Sequence, residues 1–173
     1  MNLVIDQDDG AGLTDLATRV VQSLRARGWT VATGESLTAG MVSAVLAAVP
    51  GASSVLRGGV VAYAPDVKNT LLGVPMETLE RGIVSEEVAL AMADGARVHL
   101  QAHVGVGTTG AAGPEPHDGQ PAGTACLAVS TPHGSRARTV RIPGARSQVR
   151  QGVTAAALEE VLEAVEDSRA QRE

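Results

Sequence analysis

The sequence predicts an α/β protein: one three-layer α/β/α domain built on a mixed β-sheet. Strand-like runs alternate with helix-period runs over most of the 173 residues, the pattern of helices laid on both faces of a sheet. A hairpin pattern near the C-terminal end adds antiparallel strands, so the sheet is expected to be mixed. The composition is 44% apolar with no Phe, one Tyr and one Trp, so the core must be aliphatic, and a chain of this length fills one domain. The domain is expected over residues 13–166, with 1–12 as an N-terminal extension and 167–173 as a polar tail.

The elements follow in order. Leu13, Leu16, Ala17, Val20, Val21 and Leu24 recur at helical spacing and give a helix over 13–27, ended by Gly28. A short strand is expected over 29–33. After a tight turn at Gly34 the next helix starts near Thr38, runs through Val42, Val45 and Leu46, and stops at Pro50-Gly51. Residues 55–64 read as a strand, with Gly58-Gly59 marking a bulge or a close backbone approach. Pro65-Asp66 ends it, and Lys68 stands at the start of a short helical turn that closes at Gly73. Ser85-Glu86-Glu87 is a helix start with acidic residues in the first turn, and that helix continues through Val88, Met92 and Ala96. Residues 103–108 form a buried strand, followed by a Gly-rich turn over 109–114 and a polar loop over 115–120. Strands over 122–131 and 135–142 pair about Pro132-His133-Gly134. The last helix spans 147–166, with Val153, Ala157, Val161 and Val165 along one face.

Several function classes are disfavoured. The net charge of −5 and the near-absence of aromatic side chains argue against nucleic acid or an anionic membrane as a partner. The single Cys126 forms no internal disulfide and fits a reducing compartment. No apolar run approaches the ~20 residues of a membrane span, and the first residues lack the basic start of a signal peptide. A cytoplasmic protein is expected. Metal readings fail: His99 and His103 are four apart but straddle a helix-to-strand change, and Asp6, Asp8 and Asp9 have the wrong spacing for a calcium loop. No cofactor is called for.

Chemistry concentrates in three segments. Of fourteen Lys and Arg residues only Lys68 is a lysine, five residues after the chain's one tyrosine, Tyr63. Lys can surrender its proton when desolvated and Arg cannot, so Lys68 is a candidate for proton chemistry. Its bland alternative is a structural lysine. Gly34-Glu35-Ser36-Leu37-Thr38-Ala39-Gly40 aims the Ser36 hydroxyl at the open end of the sheet, where α/β folds bind ligands. Plain helix capping by Ser36 or Thr38, with Glu35 at the surface, is the competing reading. A hydroxyl needs a base to become a nucleophile. None of His99, His103, His117 and His133 sits in a triad context, whereas a neutral Lys can take that part. Tyr63 would then relay the proton or hold the substrate. The third segment is the small-residue turn Thr108 to Pro114, whose amides can form an anion-binding nest or simply a turn. Arg146 and Arg150, at the start of the last helix, are within reach of an anionic ligand.

Together these segments resemble a known family. Gly34-Glu35-Ser36-Leu37-Thr38-Ala39-Gly40, then Gly58 to Tyr63 with Lys68, then Gly82-Ile83-Val84-Ser85, then Thr109 to Pro114, Pro121 to Thr124 and Gly144-Ala145-Arg146 follow the order and spacing of the CinA C-terminal domain family (competence/damage-inducible protein A). The resemblance covers about residues 13–166 and is to a stand-alone form, without the nucleotide pyrophosphatase-type domain that precedes it in larger members. It implies an amidohydrolase that converts nicotinamide mononucleotide to nicotinate mononucleotide and ammonia, and it suggests a homo-oligomer. On matching positions it implies Ser36 as nucleophile, Lys68 as base and Tyr63 as assisting hydroxyl, with Glu35, Thr38, Gly40, Thr109, Gly110, Gly113 and Arg146 binding substrate. This chain departs from the family with Leu37 for a usual Cys, Ala39 for Gly, Gln120 for Lys, Ala145 for Asp, and a different loop over 115–120. Two other readings stay open: a catalytically silent binding module of the same fold, acting in competence or DNA-damage responses, and an amidase acting on another small carboxamide.

Overall fold

Residues 8–170 are described by the computed structural model, in the order α1 (Asp8–Arg27), β1 (Val31–Glu35), α2 (Met41–Ala47), β2 (Leu56–Val61), α3 (Pro65–Leu72), α4 (Met76–Arg81), α5 (Glu86–His99), β3 (Val104–Gly110), β4 (Thr124–Thr131), β5 (Gly134–Arg141) and α6 (Arg146–Ala170). The five strands form one sheet in the order β2-β1-β3-β4-β5. The first three run parallel, and β4 and β5 are antiparallel to their neighbours, so the sheet is mixed.

Three layers arise because each inner strand is apolar on both faces. Val31, Val104, Val106 and Val129 point to one side, where Leu24 of α1, Leu46 of α2 and Leu158 of α6 bury them. Ala32 faces the other way, into a cluster with Leu72 of α3, Leu79 of α4 and Met92 of α5. The expected stripe of α1 is indeed its buried face, with Ala17, Val20 and Leu24 fully enclosed. Helix α5 lies against the sheet more closely than a side-chain layer permits: a Cβ on Gly105 or Gly107 would collide with the carbonyl oxygens of Ala93 and Ala89. Its start is capped as expected, with Ser85 Oγ accepting from the Val88 N–H at 3.3 Å.

The Gly58-Gly59 expectation is met in both its forms. Val31 pairs with Leu56 and Ala32 with Gly58, leaving Arg57 as the extra residue of a bulge. At Gly59 a Cβ would strike the hydroxyls of Ser43 and Thr33, so strand and helix α2 approach there without a side chain between them.

Other boundaries differ from expectation. The helix expected near Thr38 begins at Met41, because Ala39 (φ 50°) and Gly40 (φ 90°) are left-handed and cannot belong to it. Helix α4 was not expected; it is short, and Leu79 is its only buried apolar residue, too little for a periodic signal. Helix α1 starts at Asp8, inside the expected extension, and α6 continues to Ala170, into the expected polar tail. Residues 1–7, including Asp6, and 171–173 lie outside the described residues. No helix among the described residues is long and apolar enough to cross a membrane.

Candidate active site

Strands β1 and β3 are parallel neighbours, and the chain leaves their C-terminal ends in opposite directions across the sheet. Such a switch point leaves a crevice, the usual ligand position of an open α/β sheet. Ser36 follows directly on β1, and its N–H donates to Thr108 O of β3 at 2.9 Å, which fixes the hydroxyl at the crevice. From the other side, β2 leads through Ala62 and Tyr63 into α3, where Pro65 opens the helix and Lys68 follows in its first turn.

The two residues meet. Lys68 Nζ lies 2.9 Å from Ser36 Oγ, 3.0 Å from Ala62 O and 2.7 Å from Tyr63 O. Lys68 is only 1% exposed and Ser36 8%. Burial lowers the Lys68 pKa from 10.5 to about 8, since an ammonium loses hydration there. A neutral amine has two N–H donors and one lone pair. As an ammonium, Lys68 donates to all three oxygens; once deprotonated, its two hydrogens stay on the two carbonyls and its lone pair is left to Ser36 Oγ. That is the geometry a base needs to draw the hydroxyl proton.

A cleft of about 280 Å³ opens over this pair, lined by Ser36, Tyr63, Thr109, Gly110, Gly113 and Arg146 among others. These six of the ten expected site residues share its wall; Lys68 lies beneath it, behind Ser36. The Tyr63 ring is half-exposed at the rim. Its hydroxyl accepts from Arg146 Nη2 at 2.7 Å, and Arg146 Nη1 donates to Gly113 O at 3.3 Å, so the arginine spans two walls of the mouth. Tyr63 therefore meets Lys68 through its backbone carbonyl, while its hydroxyl is bonded to Arg146. Thr109 lines the cleft with its hydroxyl tied to Ile83 O at 2.7 Å.

Glu35, Thr38 and Gly40, the other residues expected to bind substrate, do not line this cleft. Successive strand residues face opposite sides of the sheet, so Glu35 points away from the side that Ser36 serves. Its carboxylate is wholly buried and accepts from the N–H groups of Val42 and Ser43 and from the hydroxyls of Thr33, Thr38 and Ser43. It caps α2, whose N-cap Gly40 has no side chain to do so. Thr38 bridges Glu35 to Thr108 Oγ1 at 2.8 Å. Arg150 is likewise not in the cleft; its guanidinium donates to Leu37 O at 3.1 Å and Thr38 O at 2.8 Å.

Sequence reasoning missed other contributors. The carbonyls of Ala62 and Tyr63 carry no side-chain signal at all. Glu115 and His117 line the cleft from the loop read only as polar. That loop is closed by paired hydrogen bonds between His117 and Gln120 and anchored by Asp118, which accepts from the Val84 N–H at 2.8 Å. His99 and His103 do not converge: His99 Nδ1 bonds Leu71 O at 2.8 Å, and the His103 ring stacks on Trp29.

Comparison with known proteins accords with this fold. A CinA-like protein of Anaeromyxobacter sp. is 50% identical over 148 residues, which is 84% of this chain and 36% of that protein. A competence-damage inducible protein of Desulforamulus reducens is 46% identical over 140 residues, 80% of this chain and 34% of its own length. The chain thus spans about a third of the length of the curated relatives it matches. Among solved structures, the competence/damage inducible protein CihA of Agrobacterium tumefaciens superposes with a TM-score of 0.85 at 32% identity, covering 96% of this chain and 99% of its own. A CinA superfamily protein of Klebsiella pneumoniae gives a TM-score of 0.86 at 31% identity over 90% of this chain and 98% of its own. The model of the CinA C-terminal domain matches residues 13–165, and the chain belongs to that family.

Proposed function

We propose that this protein is an amidohydrolase that removes the amide nitrogen of nicotinamide mononucleotide through a Ser36–Lys68 pair. The observation that carries the reading is the buried Lys68 amine held by two carbonyls at 2.9 Å from the Ser36 hydroxyl. Ser36 Oγ bonds to the carboxamide carbon as its proton passes to Lys68 Nζ, and the C=O electron pair moves onto oxygen. Collapse of that oxyanion restores C=O and expels ammonia, which takes the proton from Lys68. Water, deprotonated in turn by Lys68, then hydrolyses the acyl-serine to a carboxylic acid and frees Ser36.

Arg146 supplies a positive charge for the phosphate, and the turn through Ala112 and Gly113 supplies backbone amides. Tyr63, at the rim with its hydroxyl on Arg146, orders that arginine and shields the reacting carbonyl. One observation favours a neighbouring reading, an amidase on a different small carboxamide: Glu115 and His117 line the cleft from the loop in which this chain departs from its family.

The test is ammonia release from purified protein supplied with nicotinamide mononucleotide, nicotinamide riboside, nicotinamide and an unrelated primary carboxamide. The mononucleotide should be the preferred substrate, and folded Ser36→Ala should release no ammonia. Preference for another carboxamide would move the substrate assignment, and no ammonia from any of the four would leave a binding module.

A further inference from the structure

We infer that Glu115 makes the cleft selective for a carboxamide that carries a positive charge as well as its phosphate: the pyridinium form of the nicotinamide nucleotide, and not its reduced, uncharged dihydropyridine. The inference rests on the substrate reading above and narrows it. Its basis is the pattern of charge around the cleft. Among the described residues that line it, Arg146 is the one permanent cation and Glu115 the one carboxylate. The two do not neutralise each other. The Arg146 guanidinium donates to neutral partners, the Tyr63 hydroxyl at 2.7 Å and Gly113 O at 3.3 Å. Glu115 stands two residues beyond Gly113, yet it has no hydrogen-bond or ion-pair partner for its carboxylate among the described residues. The cleft therefore offers one ligand both a positive and a negative charge. A pyridinium mononucleotide carries the complementary pair, a phosphate anion and a ring cation. Reducing its ring adds a hydride and removes the cation, while phosphate, ribose and carboxamide stay in place.

The loop that presents Glu115 has little freedom. Pro114 and Pro116 fix φ on either side of it, and a residue before proline favours extended backbone. Beyond it, His117 and Gln120 exchange backbone hydrogen bonds at 3.0 and 2.9 Å. The loop's other carboxylate, Asp118, accepts from the Val84 N–H at 2.8 Å, and Val84 is itself part of the cleft wall. Of the two acids in this loop, Asp118 anchors it and Glu115 is left for a ligand. Because Glu115 is exposed, its attraction for a cation is that of a surface pair and modest in size.

The experiment uses Ser36→Ala, so that affinity is read without turnover. Calorimetry at low salt compares nicotinamide mononucleotide with dihydronicotinamide mononucleotide. The oxidised form should bind about three- to fivefold more tightly. Adding Glu115→Gln, which keeps the shape and removes the charge, should abolish that preference by weakening the oxidised form alone. Equal affinity for the two forms before Glu115 is changed overturns the inference. So does a preference that survives Glu115→Gln, or an equal loss for both forms, which places the carboxylate on a part they share. Ammonia release from the mononucleotide by the otherwise unchanged protein is read separately. Ammonia with a Glu115-independent preference sinks the charge selection alone, and a Glu115-dependent preference without ammonia sinks the amidohydrolase reading alone. Binding of neither form overturns the inference, and with no ammonia it takes the substrate reading with it.

Discussion

Changing Lys68 to arginine keeps a positive charge and removes the one side-chain base that lies against the Ser36 hydroxyl among the described residues. The size of the effect follows from the lowered pKa. With a pKa of about 8, roughly a tenth of the molecules carry a neutral Lys68 amine at pH 7. At the unshifted value of 10.5 the neutral fraction would be about one in three thousand, so burial gains about 300-fold in active base. Ammonia release at saturating substrate should therefore rise about tenfold per pH unit below pH 8 and level off above it. Lys68→Arg should lose turnover at every pH, while retaining nucleotide binding by calorimetry. Folding stability gives an independent readout of the same group. The folded-state pKa lies below the unfolded value, so between pH 8 and 10.5 the unfolded chain binds more protons and stability rises with pH. The contribution across that window is about 3 kcal/mol at most, and it should be missing from urea titrations of Lys68→Met. Substantial turnover in Lys68→Arg, or a wild-type profile flat from pH 6 to 9, would refute the assignment of Lys68 as base.

Three further outcomes are expected. Arg146→Ala should weaken binding of the mononucleotide far more than that of the unphosphorylated riboside, because the lost charge serves the phosphate; equal losses in calorimetry would remove Arg146 from that part. Ala39→Gly should stabilise the fold by about 0.5–1 kcal/mol in chemical denaturation, since glycine accepts the left-handed φ of 50° without a Cβ penalty, and a destabilised variant would contradict this account of the turn. Glu35→Gln should lower stability by about 2–4 kcal/mol, because an amide cannot replace a buried carboxylate that accepts five hydrogen bonds; an unchanged denaturation midpoint would show that the α2 cap carries little energy.

The layered fold was legible because its signals are periodic. The apolar stripe of α1, the bulge at Gly58 and the capped start of α5 are local patterns that tertiary contacts reinforce. Helix α4 was not legible, because six residues hold less than two turns and bury one leucine. At the site, Ser36 and Lys68 stood out through a motif and a singular composition, and the structure joins them. The position of Glu35 was not legible, because the sequence places it beside Ser36, while strand alternation places its carboxylate on the opposite face. Arg150 looked like a free cation because its partners are backbone carbonyls 113 and 112 residues away, which no side-chain pattern announces.

The position of Glu35 bears on the setting of the serine and lysine. A carboxylate within a few ångströms of Lys68 would favour the ammonium and raise its pKa, cancelling the effect of burial. The residue next to Ser36 is a glutamate, so the hazard is built into the sequence. The fold removes it by turning Glu35 toward α2 and meeting both of its oxygens with hydroxyls and backbone N–H groups. Lys68 is left with three neutral partners, Ser36, Ala62 and Tyr63, and joins no ion pair among the described residues. A buried amine without a counter-ion is costly to the fold while protonated, and that cost is what lowers its pKa from 10.5 to about 8. Both ends of the arrangement depend on one alternation of side chains at the end of β1. It directs the anion to the helix that needs a cap and the hydroxyl to the amine that needs a proton donor.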